Sequence, residues 1–290
     1  MNVCLRVGLL ASVAAGFLAA DVTYNQTTKF IGGSLIEMTK KMASMPMLGR
    51  MGGMRQAFED QHYDIYVKGN KEARIGSLSS TIYDLDAGTV TRIDNNRRTY
   101  SVMTFDEMRE QMQRMQERMN QRQGGSGDLQ FDVKSEKTGQ TRTIDGQTAT
   151  ETQVTMTAKQ ASQSGQMVIK MDLWLVPTNS SMKEAVDSQR RLAEKLADAM
   201  GGFSPMMGAA GGGMAAALKE SFKQDGYPAV TDVTISGVTA PAGPMGGGGN
   251  SDPNAPLMQT ETTTGNFVSG AVDDSKFSIP AGYKEEKRRH

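Results

Sequence analysis

Short runs of alternating apolar and polar residues, each closed by a turn signal, recur along this 290-residue chain and restrict its fold more than any other feature. Alternation at a period of two gives a β-strand one apolar face and one wet face. Val22, Tyr24, Thr28 and Phe30 fall on alternate positions, and Tyr63, Ile65 and Val67 alternate with His62, Asp64, Tyr66 and Lys68. Gly69-Asn70 then reads as a hairpin turn into a strand over Lys71–Leu78. Further strands are expected at Ser80–Asp86, Thr89–Ile93 and Thr99–Met103, separated by Asp86-Ala87-Gly88 and Asn95-Asn96. Such spacing is that of an antiparallel meander.

The pattern resumes with Leu129, Phe131 and Val133, and Asp145-Gly146 is a two-residue hairpin signal because both positions tolerate positive φ. Strands are expected over Thr148–Ala158 and Gln166–Val176, and later over Ala229–Val238 and Leu257–Val272. In the strand that Pro177 ends, Met167, Ile169, Met171, Leu173 and Leu175 share one face, with Val168, Lys170, Asp172 and Trp174 on the other. Two amphipathic helices interrupt the strands. Thr104 and Glu107 form a capping box, after which Met108, Met112, Met115 and Met119 recur at helical spacing until Gly124-Gly125. The second helix runs from about Ser181 to Met200, with Met182, Val186, Leu192 and Leu196 towards one side. A short helix over Met214–Lys223 is a third candidate. The expected class is therefore α+β: a large curved antiparallel sheet with two or three helices over its concave face. An apolar hollow between such layers is a natural ligand site.

Residues 1–20 read as a secretory signal peptide: Arg6 precedes an unbroken apolar run from Val7 to Ala20, too short to span a bilayer. Residues 21–290 are then expected to form a single domain, exported to the periplasm or an equivalent compartment and soluble once the signal is cleaved. The only cysteine, Cys4, lies in that leader, so the mature chain has neither disulfides nor thiol chemistry. Basic and acidic residues balance at 32 each, with no basic block, which gives no electrostatic reason to expect nucleic acid. Segments near 40–57, 201–216 and 239–256, rich in glycine with methionine or proline, read as flexible loops. Lys284–His290 reads as a solvated tail.

Several motifs fall in a familiar order: Ile82-Tyr83-Asp84-Leu85-Asp86-Ala87-Gly88, Arg98-Thr99-Tyr100-Ser101, Lys137-Thr138-Gly139, Thr143-Ile144-Asp145-Gly146, Asp172-Leu173-Trp174-Leu175-Val176-Pro177 and Phe277-Ser278-Ile279-Pro280-Ala281-Gly282-Tyr283. In these the chain resembles an exported bacterial family of unassigned function in the lipoprotein-carrier (LolA/LolB-like) superfamily. The resemblance spans most of the mature chain. It implies an incomplete β-barrel closed by helices that binds lipid-like molecules in the periplasm, and it carries over no specific ligand residue.

The candidate chemistry follows from these patterns. Methionine is abundant, at 22 residues, while aromatics make up only 6%. Met108, Met112, Met115 and Met119 pack a helix against a sheet or form an adaptable surface for acyl chains or a partner. With Met167, Ile169, Met171, Leu173 and Leu175 they are the expected lining of a pocket for a hydrophobic small molecule or lipid. The alternative is an envelope interaction or stress protein that uses Met45, Met47, Met51, Met54, Met206 and Met207 for Cu(I) handling or for docking an envelope protein partner. No His or Cys cluster joins these thioethers, and the expectation is no cofactor and no catalytic site. His62 sits on the polar side of a strand, no nucleophile elbow or phosphate loop occurs, and Asp84 with Asp86 reads as turn chemistry. Trp174, the single tryptophan, reads as a packing residue or a ligand contact.

Overall fold

The computed structural model describes residues 21–43, 59–123, 131–158, 166–200, 226–237, 252 and 255–286. The proposed leader, most of the three glycine-rich loops, the six methionines of the copper alternative and the Met214–Lys223 helix lie outside them.

Alternation builds one sheet. Its strands are β1 (Val22–Gly32), β2 (Gln61–Lys68), β3 (Lys71–Gly76), β4 (Ser79–Asp84), β5 (Thr89–Asp94), β6 (Thr99–Thr104), β7 (Phe131–Ile144), β8 (Gln147–Ala158), β9 (Val168–Val176), β10 (Tyr227–Ser236), β11 (Met258–Ser269) and β12 (Lys284–Glu285). They lie in the order β12-β6-β5-β4-β3-β2-β1-β11-β10-β9-β8-β7 and do not close into a barrel. The pairing of β12 with β6 is parallel, and the other pairings are antiparallel. Among the described residues three α-helices accompany the sheet: α1 (Ser34–Ala43), α2 (Phe105–Gln123) and α3 (Ser180–Met200). The architecture is thus α+β, as the patterning predicts.

Local chemistry sets the joints. At the β7–β8 turn Asp145 and Gly146 have φ of 48° and 75°, the left-handed pair that a tight hairpin needs. The Thr104 amide donates to Glu107 Oε2 at 2.9 Å while the Glu107 amide donates to Thr104 Oγ1 at 3.0 Å, so the capping box starts α2 as expected. Asn179 Oδ1 accepts from the Met182 amide at 2.9 Å and starts α3 soon after Pro177.

The sheet has an inner face under α3 and an outer face. Val22, Tyr24, Ile65 and Val67 point inwards and form a buried cluster with Met182 and Ala185 of α3. The row Phe30–Thr260–Val233–Met171–Val154 carries that face from β1 across β11, β10 and β9 to β8. On the outer face of β2–β6, Ala73, Ile82 and Ile93 are covered by Phe277 and Tyr283 of the C-terminal segment. That segment is fastened by Lys68, whose ammonium meets Asp274 at 2.8 Å, and by the Tyr283 hydroxyl donating to Asn95 Oδ1 at 3.2 Å.

Three expectations are corrected. Residues 34–43 form α1, where irregular chain was expected from Lys40 and nothing was assigned before it. Its first amides are held from outside, Ser34 N by Pro256 O and Leu35 N by Leu257 O, both at 3.0 Å. The tail is not wholly free, because Lys284 and Glu285 pair with Thr99 and Tyr100 as β12. The strand expected up to Val272 ends at Ser269.

Candidate functional site

The inner face is divided into two unlike halves. Beneath α3 it is polar at its centre. Glu72 and Arg74 project from β3 with the Arg74 Nε–Glu72 Oε1 contact at 2.7 Å, and the Glu72 side chain is only 2% exposed. Ser188 Oγ of α3 donates to Glu72 Oε2 at 3.5 Å. Gln189, one residue along α3, donates to the Tyr24 hydroxyl at 3.0 Å and to the Tyr227 hydroxyl at 3.5 Å. Phe267 stacks on Tyr24 and meets Tyr227 edge-on, with centroids 5.0 and 4.8 Å apart.

This setting perturbs the buried groups. Burial raises the Tyr24 phenol well above its usual range, with the Glu72 and Tyr227 charges adding to it. Burial likewise pushes Tyr227 up to about 12, against hydrogen bonds from Gln189 and Thr264. For Arg74 burial disfavours the charge, yet the attraction of Glu72, with smaller help from Tyr24 and Tyr83, outweighs it and raises the pKa. The guanidinium is therefore a permanent cation held by a buried carboxylate.

Across β8–β10 the same face is apolar. Val154, Met156, Ile169, Met171, Leu173 and Leu175 form one buried cluster, flanked by Met167, Val233 and Ile235. The five sheet residues expected to line a pocket are thus brought together. Met108 of the helix is not brought to them. Met108 packs beside Val90 and Phe105 with Tyr83, Leu85 and Leu196, at the far half of the sheet. The short step from β6 into α2 keeps this helix against β6 and α3. Met112, Met115 and Met119 belong to α2, but their side chains lie outside the described residues.

Trp174, one position from Leu173, is buried in the cluster that also holds Val176, Tyr227 and Val230. Arg142 lies over its ring with Cζ 4.0 Å from the centroid, a close cation–π arrangement. Asp232 lies beside them, its carboxyl raised by partial burial and by the Glu261 charge, against the attraction of Arg142 and a hydrogen bond with Trp174. At the tip of the same hairpin, Asp145 Oδ2 lies 3.3 Å from where a side chain on Gly265 would begin. The ring packs against Arg142 and is 9% exposed.

Two open clefts are bordered by described residues, and neither touches the Met167–Leu175 face. One, of about 340 Å³, lies among Leu85, Gly88, Phe105, Asp106, Arg109 and Lys195. The other, of about 240 Å³, lies around His62, Tyr63 and Leu78. His62 is exposed and its Nδ1 lies 3.0 Å from Thr27 Oγ1. Asp84 Oδ1 accepts from the amides of Asp86 and Ala87, so this carboxylate serves its turn. Among the described residues no group of three or more His, Cys, Asp or Glu is placed to hold a metal ion. No helix among them is long and apolar enough to cross a membrane.

The patterning missed the Glu72–Arg74 centre. Ala73 and Ile75 alternate with these two charges, so the run reads as a strand with its charged side in water. The only local hint is two opposite charges spaced two apart on one strand face. Comparison with known protein families and with curated proteins finds no match for the chain.

Proposed function

We propose that this is a non-enzymatic, exported protein that binds a hydrophobic or lipid-like ligand against the inner face of its sheet. The observation that carries the reading is the composition of that face over β8–β10. Nine side chains, from Val154 and Met156 through Met167, Ile169, Met171, Leu173 and Leu175 to Val233 and Ile235, offer no charged group. The half under α3, in contrast, is centred on a buried ion pair. A largely apolar surface with adaptable methionines, broken by the uncharged Thr152 and Thr231 beside Leu173, suits an acyl chain, which needs burial and no directional partner.

The cluster is closed in this structure: Leu173 is 1% and Leu175 3% exposed. Uptake therefore requires these side chains to part from their present neighbours. The open sheet supports the reading, since its inner face is not sealed by strand closure. The resemblance to lipoprotein carriers points the same way, as does an N-terminal run with the features of a signal for export.

Titration with a fluorescent fatty acid tests the proposal, with Trp174 as donor on the opposite side of the same strand. Saturable binding at micromolar concentration with energy transfer from Trp174 is the expected result. A folded protein that shows no saturable binding sinks the reading.

A further inference from the structure

The cleft between the β4–β5 turn, the first turn of α2 and the C-terminal half of α3 has a chemistry unlike the rest of the inner side. Its floor is apolar: Leu85 and Phe105 belong to the cluster that includes Val90, Tyr83, Met108 and Leu196. Its rim is cationic from two separate helices, with Arg109 on α2 and Lys195 on α3. The Arg109 guanidinium gives one nitrogen to Asp106 at 2.9 Å, and its side chain is 42% exposed, which leaves its other N–H groups for a ligand. Lys195 makes no ion pair among the described residues. Gly88, with φ of 63°, opens the wall: a side chain there would start 3.7 Å from the Phe105 ring. At about 340 Å³ the space is at the lower end of small-molecule sites.

We infer that this cleft takes the anionic head of an amphiphile, a carboxylate set between Arg109 and Lys195 with its first methylenes on Leu85 and Phe105. This rests on the proposed lipid-like ligand class, places an acidic member of it in a site separate from the Met167–Leu175 face, and so adds a second site to that reading. Two cations on different elements recognise an oxyanion, while the adjacent ring and leucine accept carbon; a free inorganic anion would use only the first of these. Asp106 on the rim tunes the site towards a singly charged head, because a second negative charge would meet its carboxylate.

The experiment displaces a neutral fluorescent reporter from the full chain with dodecanoate and, separately, with dodecanol. The native protein is expected to prefer dodecanoate by about tenfold, as partly exposed charge-assisted hydrogen bonds allow. The double variant R109Q/K195Q keeps its fold by circular dichroism, loses that preference and binds dodecanol as before. Equal affinity for acid and alcohol in the native protein overturns the cleft assignment while leaving the inner-face reading standing. A preference that survives in R109Q/K195Q overturns it equally. Failure of both compounds to displace the reporter overturns the lipid reading itself.

Discussion

Arg74→Met should cost this protein far more stability than Glu72→Gln, and the two costs should not add. The Arg74 Nε–Glu72 Oε1 contact is 2.7 Å, with side-chain exposures of 31% for Arg74 and 2% for Glu72. Removing one partner of a buried ion pair costs about 3–5 kcal/mol, because the survivor is left charged without compensation. Arg74→Met leaves Glu72 in that position, with only the long Ser188 Oγ contact at 3.5 Å, so the upper part of the range applies. Glu72→Gln leaves Arg74, which is nearly a third exposed and faces the Tyr83 ring at 5.9 Å; water screens it, and about 1–2 kcal/mol is the fitting magnitude. Glu72→Leu combined with Arg74→Met removes both charges and should fall within about 1–2 kcal/mol of the native protein. Urea unfolding followed by Trp174 emission and far-ultraviolet circular dichroism measures all of these. Equal costs for the two single variants, or a double variant as unstable as their sum, would refute the claim that Glu72 is a buried charge sustained by Arg74.

Two further outcomes follow from other sites. Burial raises the folded pKa of Tyr24 and brings Tyr227 to about 12, so their contribution is complete below the unfolded value near about 10 and is lost as pH rises towards the folded one. Urea midpoints should therefore fall between about pH 10 and 12, and Y24F/Y227F should flatten that slope; an unchanged slope would exclude these two phenols as its source. Gly237→Ala should destabilise at least twice as much as Gly69→Ala, which costs about 1–2 kcal/mol for its left-handed backbone alone. A side chain at Gly237, φ 79°, would start 1.8 Å from Gln166 O, whereas at Gly69, φ 56°, nothing lies within 4 Å. Equal losses in thermal unfolding would contradict that close approach.

The legible parts of this fold are those whose cause is local. Alternation located β2–β6 and β8–β11 to within a few residues, and Asp145-Gly146 and the Thr104–Glu107 box did what their chemistry demands. The missed parts have distant causes. Helix α1 is started by carbonyls of Pro256 and Leu257, more than two hundred residues away in the chain, and β12 exists only because β6 offers it an edge. For the site, alternation showed that Met167, Ile169, Met171, Leu173 and Leu175 share a face. It could not show where along the sheet each helix would lie. That depends on connection length, and the direct step from Thr104 to Phe105 confines Met108 to the half opposite β9. Glu72 and Arg74 were invisible because burial of a charge is decided by what packs above it, here α3.

The place of β1 has a kinetic consequence. It lies between β2 and β11, and Val22 pairs with Ser269. The β2–β6 and β7–β9 meanders can each assemble from neighbouring hairpins, but the seam that joins them closes a loop of almost the whole chain. Long-range closure of this kind is slow to form. Until the chain has been delivered as far as that last long strand, the two half-sheets remain separate bodies with open edges and greasy faces, in need of protection during synthesis.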